Sequence, residues 1–192
     1  DAVSGYRDGL EIDIYLPDLK IGFEFNGLYW HSDEFKNKNY HINKTNYFRD
    51  RGIRIIHIWE DDWINKQDIV KSQIANLVFC NKKKIFARKC EVVELEDVDL
   101  VRDFINNNHI QGYVNSVKKF GLYHNSELLS VMTFDKFEGR KKMEISGWNL
   151  SRFCTKLNTS VVGGASKILS HFIKQESPGR IISYADKDWS VG

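Results

Sequence analysis

The chain has 192 residues, enough for one domain of ordinary core size or for two small domains. Hydrophobic residues make up 42% of it and charged residues 28%, a balance typical of globular proteins that argues against a disordered chain. The formal net charge of +2 is too small to indicate a nucleic-acid partner by itself. No apolar run approaches membrane-spanning length and no signal peptide is visible, so we expect no membrane partner.

Three scattered cysteines, Cys80, Cys90 and Cys154, are too few and too widely spaced for a disulfide framework or a zinc site. A reducing compartment is the simpler expectation, so the sequence predicts a cytoplasmic protein.

The first predicted element is a β-hairpin in "EIDIYLPDLKIGFEFNG", residues 11–27. Two runs rich in apolar and aromatic residues flank a turn at Pro17 and Asp18. A two-residue loop would place Asp13 opposite Glu24 and Glu11 opposite Asn26.

The period of two along each strand divides this hairpin into two faces. One face is predicted to be apolar: Ile12, Ile14, Leu16, Ile21, Phe23 and Phe25. The other carries Glu11, Asp13, Tyr15, Glu24 and Asn26. These acids are either solvated on an exposed face or ligands of a hard divalent cation such as Mg²⁺, which would relieve their repulsion.

The next elements predict a helix, a strand and a second helix. The first helix runs from about Tyr40 to Asp50 and ends before Gly52. The β-branched run 53–59 is typical of a buried strand, and residues 60–79 form one amphipathic pattern. Because a helix separates the strands, we expect strand 53–59 to lie parallel to a hairpin strand.

A basic segment, residues 81–89, is predicted to link two domains, residues 1–80 and residues 90–192. The second domain is predicted to contain strand 91–95, helix 97–109, a hairpin around Asn125 and Ser126, strand 143–154, helix 164–175 and strand 179–185. Two basic clusters are solvated surface or contacts to a DNA backbone: Lys82, Lys83, Lys84, Arg88 and Lys89, and Arg140, Lys141 and Lys142.

The motifs "EIDIYLP", "GFEFNGLYWH" and "GIRIIHIWE" resemble, in that order, the very short patch repair (Vsr) endonucleases, and more closely the Vsr-like domain of phage homing endonucleases. The resemblance covers about residues 7–79. It implies a three-layer α/β core of the PD-(D/E)xK nuclease superfamily and hydrolysis of double-stranded DNA with Mg²⁺ or Mn²⁺. For a phage-encoded protein, the expected location is the host cytoplasm.

The resemblance places the metal-binding aspartate at Asp13 and the second acid at Glu24. Because metal-assisted hydrolysis needs carboxylates to hold the ion, Glu11 is a candidate auxiliary ligand. Asn26 stands where the superfamily has lysine and Vsr enzymes have histidine. His31 and His41 match active-site polar positions and could accept a proton or orient water.

Lys44 lies three residues after His41 on the same helical face and is the candidate for the missing cation. His57, within an apolar strand, is interpreted as structural.

In "GLYWHS" the aromatic residues Tyr29 and Trp30 are either core residues or, by the same resemblance, a wedge that enters the DNA base stack.

The C-terminal segments "FGLYHNSELLSVMTF", "VVGGASKILSHFIK" and "GRIISYAD" resemble a GNAT acyltransferase fold, as in Mom-like DNA-modification proteins. That resemblance implies an acetyl-CoA pyrophosphate site at Gly163, Gly164, Ala165 and Ser166, although a small-residue helix cap accounts for the same residues. A full GNAT fold needs more chain than follows Asp186, so we expect a truncated GNAT-like α+β unit in which acetyl-CoA binding is unlikely.

Two functions follow. The first is a metal-dependent DNA endonuclease, favoured by the acidic hairpin. The alternative is a DNA-modifying acyltransferase or a DNA-binding protein with a degenerate nuclease module, which the absent motif lysine keeps open. A fragment that folds without activity is a third possibility.

Overall fold

The computed structural model describes residues 1–27, 40–80, 83–137, 147–186 and 189. The chain is of the mixed α/β class, as the sequence predicts. It forms two compact units: unit 1 comprises residues 1–70 and the described residues after 184, and unit 2 comprises residues 71–184. In the described part of the chain, no helix is long and apolar enough to cross a membrane.

Unit 1 is built on a four-stranded sheet in the order β1-β2-β3-β4. Its strands are β1 (Val3–Asp8), β2 (Leu10–Leu16), β3 (Ile21–Asn26) and β4 (Arg54–Trp59). Helix α1 (Tyr40–Arg49) lies between β3 and β4 in sequence, and these two strands are parallel, which confirms the predicted crossover.

The β2–β3 hairpin has the predicted register next to its turn, and the predicted pairs of Asp13 with Glu24 and Glu11 with Asn26 lie beyond the observed ladder. The paired residues are Ile14 with Phe23, Tyr15 with Gly22, and Leu16 with Ile21. The turn is closed by the backbone N–H of Lys20, which donates to the carbonyl of Pro17 at 3.1 Å.

The predicted division of the hairpin into an apolar buried face and a polar face is wrong in detail. Ile14 and Phe25 are each 48% exposed, whereas Glu24 and Asn26 are each only 6% exposed. The reason is that α1 packs on the face that carries Glu24, as the contact of its Lys44 with that residue shows.

Strand β2 also departs from strict alternation, because Ile12 and Tyr15 both enter the core with Phe48 of α1. The ladder between β1 and β2 has no pair at Gly5 and Asp13, and Gly5 adopts a φ of 64°. A break of this kind increases the local twist of a strand, which explains how Ile12 and Tyr15 can enter the same core.

The single helix predicted over residues 60–79 is two helices, α2 (Glu60–Asn65) and α3 (Gln67–Leu77). Lys66 interrupts them with φ −138° and ψ 36°. The ring of Trp63 in α2 lies edge-on to Phe25, with centroids 6.2 Å apart. Since Phe25 and Glu24 point to opposite faces of β3, α1 and α2 cover opposite faces of the sheet.

Unit 2 contains a five-stranded sheet in the order β11-β9-β8-β7-β6, antiparallel except for the parallel pair β9 and β11. These strands are β6 (Glu91–Glu94), β7 (Lys118–His124), β8 (Glu127–Phe137), β9 (Gly147–Thr155) and β11 (Ile181–Ser183). The predicted strands and the hairpin around Asn125 and Ser126 are confirmed within the described residues.

Two helices cover this sheet, and each has its own core. Helix α4 (Val98–Asn108) buries Val101 and Ile105 in one cluster with Val131 of β8. Helix α5 (Gly164–Glu176) buries Ile168 and Phe172 in another cluster, where the Phe172 ring stacks on Phe134 with centroids 3.7 Å apart.

The segment predicted as a linker is not an open connection. Residues Lys83–Phe86 form strand β5, which pairs in parallel with β10 (Thr159–Val162), and Ala87–Lys89 form a 3-10 helix. Ile85 and Ala87 are buried in the α5 core, so this segment is part of unit 2.

Candidate active site

The two acids predicted to oppose each other lie side by side where β2 and β3 separate. The backbone N–H of Asp13 donates to Oε1 of Glu24 at 3.3 Å, and the N–H of Phe25 donates to Oδ2 of Asp13 at 2.8 Å. Carboxylate oxygens thus replace backbone carbonyls just beyond the last ladder pair, Ile14 with Phe23. Asp13 is exposed and Glu24 is buried, so solvent reaches one carboxylate of the pair and is largely excluded from the other.

Helix α1 supplies a buried cation to this pair. Nζ of Lys44 donates to Oε2 of Glu24 at 2.5 Å, and the two side chains are 7% and 8% exposed. Burial raises the pKa of the Glu24 carboxyl, and the nearby Asp13 charge raises it further, while hydrogen bonding and attraction from Lys44 counteract this only in part. The candidate cation from the sequence therefore lies beside the second acid.

Asn26 takes part in a second polar network. Its Nδ2 lies 3.0 Å from Nδ1 of His57, whose Nε2 lies 2.8 Å from Oγ1 of Thr45. If Nδ2 of Asn26 donates, Nδ1 of His57 accepts and its Nε2–H donates to Thr45. His57 thus orients the Asn26 amide, a contact beyond the structural role that the sequence predicts for His57.

His41 lies on the same face of α1, one turn before Thr45. Its ring centroid is 5.5 Å from that of His57 and 5.6 Å from that of Trp59. The helix therefore directs His41, Lys44 and Thr45 to the polar end of the sheet. The i, i+3, i+4 spacing of these residues was the signal that could have identified Thr45.

Glu11, the predicted auxiliary ligand, has a different partner. Its Oε2 accepts from Arg7 of β1 at 2.6 Å and 2.9 Å, and both side chains are exposed. Arg7 was missed because β1 was not predicted, and it is the cation that the hairpin alone lacks.

Several predicted DNA contacts, together with His31, fall outside the described residues: Tyr29, Trp30, Lys82, Arg140, Lys141 and Lys142. Among the described basic residues, Lys83 is paired with Glu127 at 2.6 Å. Lys84 and Arg88 instead lie around the ring of Phe86, with Nζ 6.0 Å and Cζ 5.2 Å from its centroid.

The small-residue turn at α5 shows a packing role. Gly163 caps the helix with φ 78°. A Cβ on Gly164 would lie 3.1 Å from Cγ1 of Val161, so this glycine permits close packing of β10 on α5. Ser166 is exposed. Gly163 therefore has a capping role and Gly164 a packing role.

The donor set of unit 1 fits a magnesium ion. Mg²⁺ uses one or two carboxylates and completes its shell with water and substrate phosphate oxygens. Asp13 and Glu24 provide two adjacent carboxylates, and Oδ1 of Asp13 accepts no hydrogen bond from a described residue. Among the residues described, no three His, Cys, Asp or Glu side chains form a metal-binding group.

No family model, curated protein or solved structure matches the chain. The functional argument therefore rests on the geometry of this site.

Proposed function

We propose that unit 1 is a metal-dependent DNA endonuclease, related to the Vsr-like branch of the PD-(D/E)xK nucleases. The observation that carries the proposal is the cluster of Asp13, Glu24 and Lys44, in which two carboxylates and one cation meet at the end of a hairpin. Acids that neighbour a buried cation are common in sites for phosphoryl chemistry, because such sites bind a metal and stabilise an anionic transition state.

In this proposal Asp13 and Glu24 hold Mg²⁺ or Mn²⁺. The metal, when bound, supplies a Lewis acid for the scissile phosphate and lowers the pKa of a bound water. Lys44 supplies the positive charge that the Asn26 amide cannot, and it favours the charge that develops on the phosphate oxygens. His41, or His31 outside the described residues, accepts the proton of the attacking water.

The burial of Glu24 helps to divide the roles in metal binding between Asp13 and Glu24. A carboxylate with a raised pKa holds its proton more readily, and a metal or Lys44 must stabilise its charged form. We assign the main metal contact to the exposed Asp13. Glu24 positions Lys44 relative to the metal.

The first prediction is cleavage of supercoiled plasmid in the presence of Mg²⁺, lost on addition of EDTA. Asp13→Asn should lower the cleavage rate by at least about a hundredfold, the usual scale for removing one electrostatic contact to a transition state. The fold should persist, because an asparagine oxygen can still accept from the N–H of Phe25. The readout is the rate of nicked and linear product on agarose gels.

The matched control is Asp18→Asn, which removes an exposed acid from the turn of the same hairpin. It should cleave at the wild-type rate. Equal cleavage by wild type and Asp13→Asn, or full activity in EDTA, would contradict the nuclease proposal.

A further inference from the structure

Strand β5 presents an exposed aromatic ring beside cations that form no ion pair with a described carboxylate. The side chains of Lys84 and Phe86 point away from the buried Ile85, as the period of two requires. Phe86 is 43% exposed, and Arg88 of the following 3-10 helix lies 5.2 Å from its ring centroid. We call Lys84, Phe86, Arg88 and Lys89 the β5 surface.

The cations of this surface have no acidic partner among the described residues. Lys83, one position earlier, is paired with Glu127, but Lys84, Arg88 and Lys89 form no ion pair with a carboxylate that the structure describes. Their charge is therefore available to an anionic ligand, whereas that of Lys83 is already compensated.

A cavity of about 620 Å³ opens beside this surface. Such a volume is in the usual range for small-molecule sites and suits a single nucleotide. The residues that line it include Arg88, Lys89, Glu91, Tyr123, Asn125 and Ser126. Cations would contact phosphates there, and the neutral polar groups could contact the edge of a base.

We propose that the β5 surface binds single-stranded DNA, with one base stacked on Phe86 and the flanking phosphates on Lys84, Arg88 and Lys89. Aromatic rings beside cations are the usual platform for single strands, because every base has a face that can stack. A duplex keeps its base faces inside the helix, so phosphates alone would reach this surface from double-stranded DNA. The cleavage site of unit 1 shares no residue with it.

Only the choice of DNA over RNA rests on the proposed nuclease function. Binding is therefore measured in EDTA with the Asp13→Asn variant of the 192-residue chain, so that a failure of cleavage and a failure of strand binding are separate results. The probes are fluorescent oligo(dT), a duplex of equal length and oligo(U), followed by fluorescence anisotropy.

We expect Phe86→Leu to weaken oligo(dT) binding about tenfold, within the range for one base–aromatic stack, and duplex binding less than about twofold. Phe86→Tyr should keep the affinity, because it keeps the ring. Phe79→Leu, which changes another exposed phenylalanine of unit 2, should leave both affinities unchanged. Circular dichroism establishes that each variant is folded.

The charges give a second readout. Lys84→Gln and Arg88→Gln should each reduce the salt dependence of oligo(dT) binding by about 0.7 in the slope of log K against log salt, whereas Lys83→Gln should not. Unchanged oligo(dT) affinity in Phe86→Leu, an equal loss on the duplex, or absence of strand binding in the parent protein would overturn the proposal. A tenfold preference for oligo(U) would overturn its assignment to DNA.

Discussion

The ion pair of Glu24 and Lys44 is the residue-scale feature on which the rest of the site depends. Both charges are nearly removed from water, so each loses hydration that the partner must replace. The raised pKa of Glu24 shows that its burial outweighs the attraction of Lys44. Apolar side chains at positions 24 and 44 would stabilise the fold equally well. The presence of a buried ion pair there therefore argues for a functional role.

We predict that Lys44→Met lowers the free energy of unfolding by about 3–5 kcal/mol, because it leaves the Glu24 carboxylate buried without its cation. The double variant Glu24→Gln with Lys44→Met should recover most of that loss, since neither charge remains. Denaturant unfolding followed by tryptophan fluorescence measures both values.

Lys83→Met is the matched control, since its pair with Glu127 is half exposed and should stabilise the fold far less than a buried pair does. If Lys44→Met proves no more costly than Lys83→Met, the pair is not the buried one that the structure shows.

Some of this site could be predicted at the level of single residues. The strand period and the turn placed Asp13 opposite Glu24, and helical spacing placed Lys44 on the face of His41. The burial of Glu24 could not be predicted, because it depends on how α1 packs on the sheet. The contact between Asn26 and His57 depends on the parallel pairing of β3 with β4, which brings residues 31 positions apart together.

At the scale of elements, Glu127 joins three strands of unit 2. It begins β8 and accepts from Lys83 of β5 at 2.6 Å and from Lys156, next to the end of β9, at 2.7 Å. These two cations lower its pKa from 4.5 to about 2. The contacts hold the small parallel sheet of β5 and β10 beside the five-stranded sheet.

The sign of the pH dependence follows from the lowered pKa. The stabilising contribution of Glu127 is fully present above about pH 4.5 and is lost as the pH falls through about 2. Wild type should therefore exceed Glu127→Gln in stability at pH 6, and the difference should shrink between pH 4.5 and 2. Urea unfolding at several pH values measures it.

High salt tests the electrostatic cause, because the side chains of Glu127, Lys83 and Lys156 are partly exposed and a 1 M solution screens charges beyond about 3 Å. The difference between wild type and Glu127→Gln at pH 6 should then diminish. A difference independent of both pH and salt would mean that Glu127 acts by packing.

The elements that the sequence missed are short and lack a clean pattern. Strand β1 contains two exposed charges and a glycine with positive φ, and β5 and β10 have four residues each. Their pairing is decided by partners distant in sequence, which local periodicity does not report. The break at Lys66 was missed for a related reason, since the residues around it continue a helical pattern.

At the scale of the whole molecule, the two units have separate cores. The core of unit 1 joins Ile12 and Ile55 of the sheet to Phe48 of α1, and the α5 core of unit 2 is centred on Phe134 and Phe172. The sequence predicted two domains from a basic segment near residue 81. Contacts place the division within α3 instead, because the buried side chains of β5 join its cation-rich segment to unit 2.

Separate cores predict that core substitutions act on one unit at a time. Phe48→Leu should lower the stability of unit 1 by about 1 kcal/mol or more without affecting unit 2, and Phe172→Leu should do the converse. Both side chains are fully buried, so the substitutions are matched in chemistry and burial.

Native-state hydrogen exchange by mass spectrometry measures the two units in one experiment, from peptides of β4 and of β8. Phe48→Leu should speed exchange in β4 alone, and Phe172→Leu in β8 alone. If each substitution speeds exchange equally in both strands, the chain unfolds as one cooperative body and the two compact units are not independent in stability.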